Sequence, residues 1–225
     1  MTTLLPRSEA GDAQASRTIA AAYLDCWQYA VNPIGFDEDI RLKSRLREDL
    51  APKLSNARDT IVKRCGRFAG QKIGPTAIRA MLNRAAEQGD LASQVQLFSE
   101  RSIRAGGASA EDITPVVDRV LASRDAEAYA AIAPLMGRVS AGAQSGLAPI
   151  PAGTDLAEAA WNIAACRLGR DCGPNSSAVL QMCLGGGVNC ELRHIESFYT
   201  QAVLPPADQA RLRQLIQQLV QGSKS

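Results

Sequence analysis

Histidine, aromatic side chains, net charge and long apolar runs are all scarce in this chain. Among 225 residues there is one histidine, His194, which leaves a single candidate imidazole for nucleophile–base catalysis. Aromatic residues make up 4% of the chain, too few for the stacking platforms that single-stranded nucleic acids use. The balance of 25 basic and 23 acidic residues gives a formal net charge of +2, with no long-range field to steer a polyanion or an anionic membrane. No stretch approaches the roughly 18 uninterrupted apolar residues of a membrane-spanning helix. Cys-x-x-Cys, Gly-x-Ser-x-Gly, His-Glu-x-x-His and the phosphate-loop pattern are all absent from the sequence, so the common metal, hydrolase and nucleotide signatures are missing.

Alanine, by contrast, occurs 37 times. With so few aromatics this favours helix over sheet, and the apolar spacing agrees. Ile19, Tyr23, Cys26 and Ala30 recur on one face of a helix from about residue 14 to 30, ended by Asn32-Pro33 and Gly35. Asp37 is placed to cap the next segment. There Leu46, Leu50, Leu54, Ala57, Ile61 and Cys65 trace one apolar stripe, with Pro52 either kinking a long helix or opening a second one. The stretch from Arg41 to Lys72 is basic but interleaved with acids, as in a solvated helix face.

The middle of the chain reads as four short helices. Pro75 opens the first and Asp90 caps the second. Ser109 with Asp112 forms a capping box for the third, and Asp125 caps the fourth. A shift of 35 residues takes Ile78 to Ile113, Leu82 to Val117, Arg84 to Arg119 and Asp90 to Asp125, the period of a two-helix repeat. The turn AAEQGDLASQ, residues 85–94, resembles that of Sel1-like and tetratricopeptide repeats. Residues 140–153 form an uncharged linker rich in small residues and proline. Beyond it, Asp155 with Glu158 opens a helix, Pro174 starts another that stops at Gly185-Gly186-Gly187, and a short helix spans about 191–200. Pro205-Pro206 introduces the last helix, with Leu212, Leu215, Ile216 and Leu219 on its apolar side. The expected fold is all-α, with helical hairpins stacked as a bundle or a short irregular solenoid. Its segments are an N-terminal hairpin over 14–70, two hairpin repeats over 75–139, the linker, and a cysteine-rich helical region over 154–221. Trp27 and Trp161 both fall among apolar positions and are expected in the core.

Six cysteines remain to be assigned: Cys26, Cys65, Cys166, Cys172, Cys183 and Cys190. Their spacing fits neither a zinc site nor a thioredoxin-like pair, so no metal or cofactor is expected and structural disulfides are. Cys26 and Cys65 end the apolar stripes of successive helices and meet if these form an antiparallel hairpin. Cys166–Cys172 and Cys183–Cys190 are then local bridges across glycine turns, since the ends of an antiparallel helix pair lie farther apart than a disulfide spans. The crossed alternative joins Cys166 to Cys183 and Cys172 to Cys190. Persistent disulfides belong to oxidising compartments, which points to a periplasmic or secreted protein whose export signal is missing from this sequence.

The run AWNIAACRLGRDCG, residues 160–173, followed by Cys183, Gly185-Gly186 and Cys190, resembles the C-terminal part of a group of exported, cysteine-paired helical proteins of gammaproteobacteria. The resemblance implies an exported, disulfide-bonded helical protein and carries no catalytic residue. Some members of that group sit beside secreted antibacterial effectors, which implies an immunity or inhibitor role.

No catalytic or cofactor-binding residue is assigned. His194 lies between Glu191 and Glu196 and reads as a helical histidine in an ion-pairing neighbourhood. Of the acids near the cysteine cluster, Glu158 reads as a capping-box partner and Asp171 as a helix cap; Glu191 and Glu196 complete the set. The expectation is a non-enzymatic protein-binding module that takes another protein as partner, with no nucleic acid, no transmembrane segment and the oligomeric state open. An enzyme whose carboxylates meet only in the fold, and a structural envelope protein, are the alternatives.

Overall fold

A computed structural model of the chain describes residues 3–138, 152–186 and 190–221. Among the described residues there are twelve α-helices and no strand. In chain order they are α1 (Leu4–Glu9), α2 (Ala13–Val31), α3 (Pro33–Leu46), α4 (Ala51–Cys65), α5 (Pro75–Glu87) and α6 (Leu91–Arg104). They continue with α7 (Ala110–Ser123), α8 (Ala126–Met136), α9 (Asp155–Arg167), α10 (Ser177–Gly186), α11 (Ile195–Phe198) and α12 (Gln209–Gln221). The fold is all-α and braced by disulfides. The 140–153 linker lies almost wholly outside the described residues, as does Gly187.

The helices gather into two compact units. One comprises Met1–Gln88 with Cys172–His194, the other Gly89–Asp171 with Ile195–Ser225. The sequence segments follow chain order, whereas these units follow contact: residues 172–194 join the N-terminal helices, and α5 lies against α2.

The first unit closes around Cys26, Ala30, Ile40, Leu50, Leu54, Ile61, Cys65, Phe68, Leu180 and Leu184. Asp12 opens α2 by accepting a hydrogen bond from the Ala15 amide, earlier than the sequence start at about residue 14. Asn32 does two jobs at once. It ends α2 and caps α3, its side chain accepting from the Gly35 amide, while Pro33 occupies the first turn. Asp37 is therefore not the expected cap; it lies inside α3, in a bidentate pair with Arg58 of α4 at 2.9 and 2.8 Å. A second correction concerns Leu46. Arg47 leaves helical geometry (φ −136°, ψ 73°), so the expected stripe breaks there. Leu46 is 73% exposed while Leu50 and Leu54 are buried. Pro52 sits in the first turn of α4, where its missing amide costs nothing.

In the second unit α8 packs on α9 and α6, and α12 packs on α9. Four alanines of α9, Ala159, Ala160, Ala164 and Ala165, are fully buried, and such small side chains let helix axes approach closely. Trp161, also fully buried, packs its ring 5.1 Å from that of Tyr129 in a tilted arrangement. Trp27 departs from expectation by being only partly buried. Asp90 and Asp125 occupy the same place in α6 and α8, each accepting from amides of the first turn. Ser109 caps α7 through the Asp112 amide, and the Asp112 carboxylate bonds back to the serine.

Candidate functional site

α3 presents two different faces. Its inner side carries buried Ile40 and partly buried Phe36, and Lys43 donates to the Leu184 carbonyl at 2.6 Å. Its outer side carries Ile34, Leu42 and Leu46, which are 72%, 49% and 73% exposed. With 3.6 residues per turn, Ile34, Glu38, Leu42 and Leu46 form one i+4 ridge, and Asp37, Arg41 and Arg45 the adjacent ridge. Val31, at the end of α2, extends the apolar surface at 56% exposure. Asp39 pairs with Lys43, Arg47 with Asp49, and Asp37 with Arg58. Glu38, Arg41 and Arg45 are exposed and make no ion pair or side-chain hydrogen bond among the described residues. An open groove of about 1170 Å³ follows this charged flank between α3 and α4. Three large apolar side chains thus stand in solvent on one side of a single helix, as on a docking face.

A smaller cleft of about 290 Å³ lies in the same unit. It is lined by Lys53, Asn56 and Thr60 of α4, Asn175, and Glu191 and Arg193, with Cys183 and Cys190 at its base. It is at the lower end of small-molecule pocket size. Two of its lining residues, Lys53 and Glu191, are joined by an ion pair at 2.6 Å.

In the second unit buried Tyr199 and half-buried Glu158 and Asn162 form a polar cluster. Tyr199 donates to Glu158 Oε1 at 3.3 Å, and Asn162 Nδ2 donates to the Tyr199 hydroxyl at 2.9 Å. Burial pushes the Glu158 carboxyl above the usual carboxylate range, opposed by the Tyr199 hydrogen bond and aided by Asp155. The Tyr199 phenol is pushed up by burial, then by Glu158. A Cβ on Gly137 would collide with Glu158 Oε2, so the carboxylate lies directly against that glycine. The expected capping role of Glu158 is corrected here. Thr154, one residue earlier than expected, caps α9 through the Ala157 amide, and Glu158 is left on the turn that faces Tyr199.

No family model, curated protein or solved structure matches this chain. Its function has to be read from its own geometry.

The other residues singled out in the sequence take the following places. Cys26–Cys65 and Cys183–Cys190 are disulfides with Cα separations of 5.3 and 4.4 Å. Cys166 and Cys172 are also disulfide-bonded, and no cysteine is free. The short helix expected over 191–200 begins at Ile195, so Glu191 is not one helical turn from His194 and reaches Lys53 instead. Glu196 pairs with Arg167 at 2.7 Å. Asp171 caps no helix, since α10 starts at Ser177 and takes its cap from Ser176; Pro174 lies in the preceding turn. Each of Glu158, Glu191 and Glu196 thus meets a different partner. Among the described residues no group of three or more His, Cys, Asp or Glu is placed to hold a metal ion, and no helix is long and apolar enough to cross a membrane. The α3 face escaped the sequence reading. Asn32-Pro33 carried its signal, because the pair that stops one helix is also the cap and first residue of another.

Proposed function

We propose that this chain is a non-enzymatic, exported module that acts by binding protein, with the outer face of α3 as its docking surface. The exposure of Ile34, Leu42 and Leu46 along one side of a single helix, flanked by the exposed charges of Glu38, Arg41 and Arg45, carries this reading. An apolar centre with a charged margin is how protein interfaces are built. The absence of free cysteines supports the exported location, since such complete pairing is characteristic of oxidising compartments. The test is site-specific photo-crosslinking in the periplasm, with the reactive group at Leu42 or Leu46 and, as control, at exposed Gln28 of α2. Protein adducts are expected from the two α3 positions and not from Gln28. The reading falls if α3 yields no protein adduct.

A further inference from the structure

We propose that the Cys183–Cys190 disulfide exchanges reversibly with a small thiol that carries a carboxylate, received in the cleft between α4 and α10. The site shares no residue with the outer face of α3.

Access and charge carry it. Cys183 and Cys190 line the cleft of about 290 Å³ and keep 5% and 7% of their surface exposed, against 1% and 0% for Cys26 and Cys65. A thiol entering the cleft therefore meets one disulfide, while Cys26–Cys65 is closed to it. The size of the cleft restricts that thiol to a small molecule. Three charged side chains stand in the lining: Lys53, Glu191 and Arg193. Lys53 pairs with Glu191. Arg47, a further cation near Glu191, is held by Asp49 at 2.9 and 2.7 Å. Two cations and one anion leave the lining with a surplus of one positive charge. Cations beside a disulfide favour the thiolate that arrives and the thiolate that departs. The surplus also favours an incoming thiol with a carboxylate over a neutral or cationic one.

In the exchange, the incoming thiolate attacks one sulfur and forms a new S–S bond. The Cys183–Cys190 bond breaks, and its electron pair leaves on the other cysteine as a thiolate. Return attack by that thiolate expels the small thiol and restores the bridge; attack by a second small thiolate leaves two cysteine thiols and the small disulfide. The surrounding fold is built to survive the opening. This bridge closes 7 residues against 39 for Cys26–Cys65, so breaking it frees less chain. α10 stays attached by Ser177 to Asp25 and by the Leu184 carbonyl to Lys43. Between the two cysteines, Gly185 has open space where a side chain would begin.

Three thiols of similar size and different charge test this on the full, oxidised chain: 3-mercaptopropionate, 2-mercaptoethanol and cysteamine. Low ionic strength keeps the charges unscreened. Each rate is taken relative to attack by the same thiol on a neutral model disulfide, which removes differences in intrinsic nucleophilicity. Acid quenching and peptide mapping follow each bridge separately, including that of half-buried Cys166. The expected result is a mixed disulfide on Cys183 or Cys190, with Cys26–Cys65 intact and circular dichroism unchanged. Relative rates should fall from the anionic to the neutral to the cationic thiol, the extremes differing by about fivefold. Lys53→Gln/Arg193→Gln changes two exposed positions and leaves Glu191 as the remaining charge of the lining, so it should reverse that order; circular dichroism checks that the variant is folded. The proposal is overturned if the bridge opens only when the whole chain unfolds, if the three relative rates are equal, or if their order is unchanged in the double variant.

Discussion

Asp25 and Arg64 form an ion pair at 3.6 Å, each one residue before a cysteine of the Cys26–Cys65 disulfide. Covalent and ionic links between α2 and α4 therefore occur side by side. The same cluster reaches α10: Ser177 donates to Asp25, while Arg64 bonds the Ser177 hydroxyl at 3.2 Å and the Asn175 carbonyl at 2.7 Å. One acid and one base, set beside the disulfide, thus tie the N-terminal helices to a segment more than a hundred residues away.

The disulfides should differ in what they contribute. Cys26–Cys65 closes a loop of 39 residues and Cys183–Cys190 one of 7. In the chain-entropy account these correspond to about 4 and about 2.5 kcal/mol. Replacing each pair by serine and measuring urea unfolding should reproduce that order. A thiol reagent should label no cysteine in the native, non-reduced protein.

Asp25 gives the first unit a pH dependence. Burial pushes its carboxyl above the ordinary value of 3.8, opposed by Ser177 and then by Arg64. With the folded-state value raised, the folded chain holds a proton on Asp25 at a pH where the unfolded chain has released it. The stability this group contributes is complete at low pH and declines as pH rises through the folded-state value. Asp25→Asn should flatten that decline. Ser177→Ala removes a donor that favours the carboxylate, so it should destabilise more at pH 7 than at pH 3.5. Urea midpoints measured across that range check both the sign and the contrast.

Local chemistry made much of this fold legible, and long-range chemistry hid the rest. Asp90, Ser109 and Asp125 announce helix starts because a cap depends only on the next three residues. Cys26 and Cys65 could be paired because both end apolar stripes that a hairpin in the N-terminal region brings together. The α3 face was obscured by a bend at Arg47: Leu46 is in helical register with Leu50, yet the turn between them rotates it into solvent. Glu158 was misread by one residue, since Thr154 and Asp155 are adjacent and both can cap a helix, and it is Thr154 that accepts from the Ala157 amide. The grouping of residues 172–194 with the N-terminal helices depends on contacts such as Lys43 with the Leu184 carbonyl, which no local pattern encodes.

The two aspartate caps related by the 35-residue shift offer a paired measurement. Asp90 accepts from the Ser93 amide at 2.7 Å, and Asp125 from Glu127 and Ala128 at 2.9 and 3.3 Å. Replacing either by alanine should cost about 1 kcal/mol, and by asparagine much less, because asparagine keeps the acceptor. Urea denaturation of the four single variants tests this. An equal loss for alanine and asparagine would mean that charge, and not capping, is what these residues provide.

Two side chains bond carbonyls at the end of the C-terminal helix, Arg124 at Val220 (2.7 Å) and a buried tyrosine hydroxyl at Leu219. Tyr129 of α8 donates to the Leu219 carbonyl of α12 at 3.1 Å, near the end of α12, where helix carbonyls lack partners within the helix. Tyr129→Phe keeps the ring beside Trp161 and removes only this bond, leaving a buried acceptor unsatisfied at a cost of about 1–2 kcal/mol. Leu212, Leu215 and Leu219 still anchor the helix, so the loss should appear as faster amide exchange in the last two turns of α12 before it appears in the global transition. Trp161→Ala should behave differently. It empties the centre of the packing between α8 and α9 and should lower global stability by about 3–5 kcal/mol, with protection lost throughout the second unit. Uniform exchange in both variants would show that α12 unfolds only with the whole unit and that the hydroxyl has no separate role in holding its end.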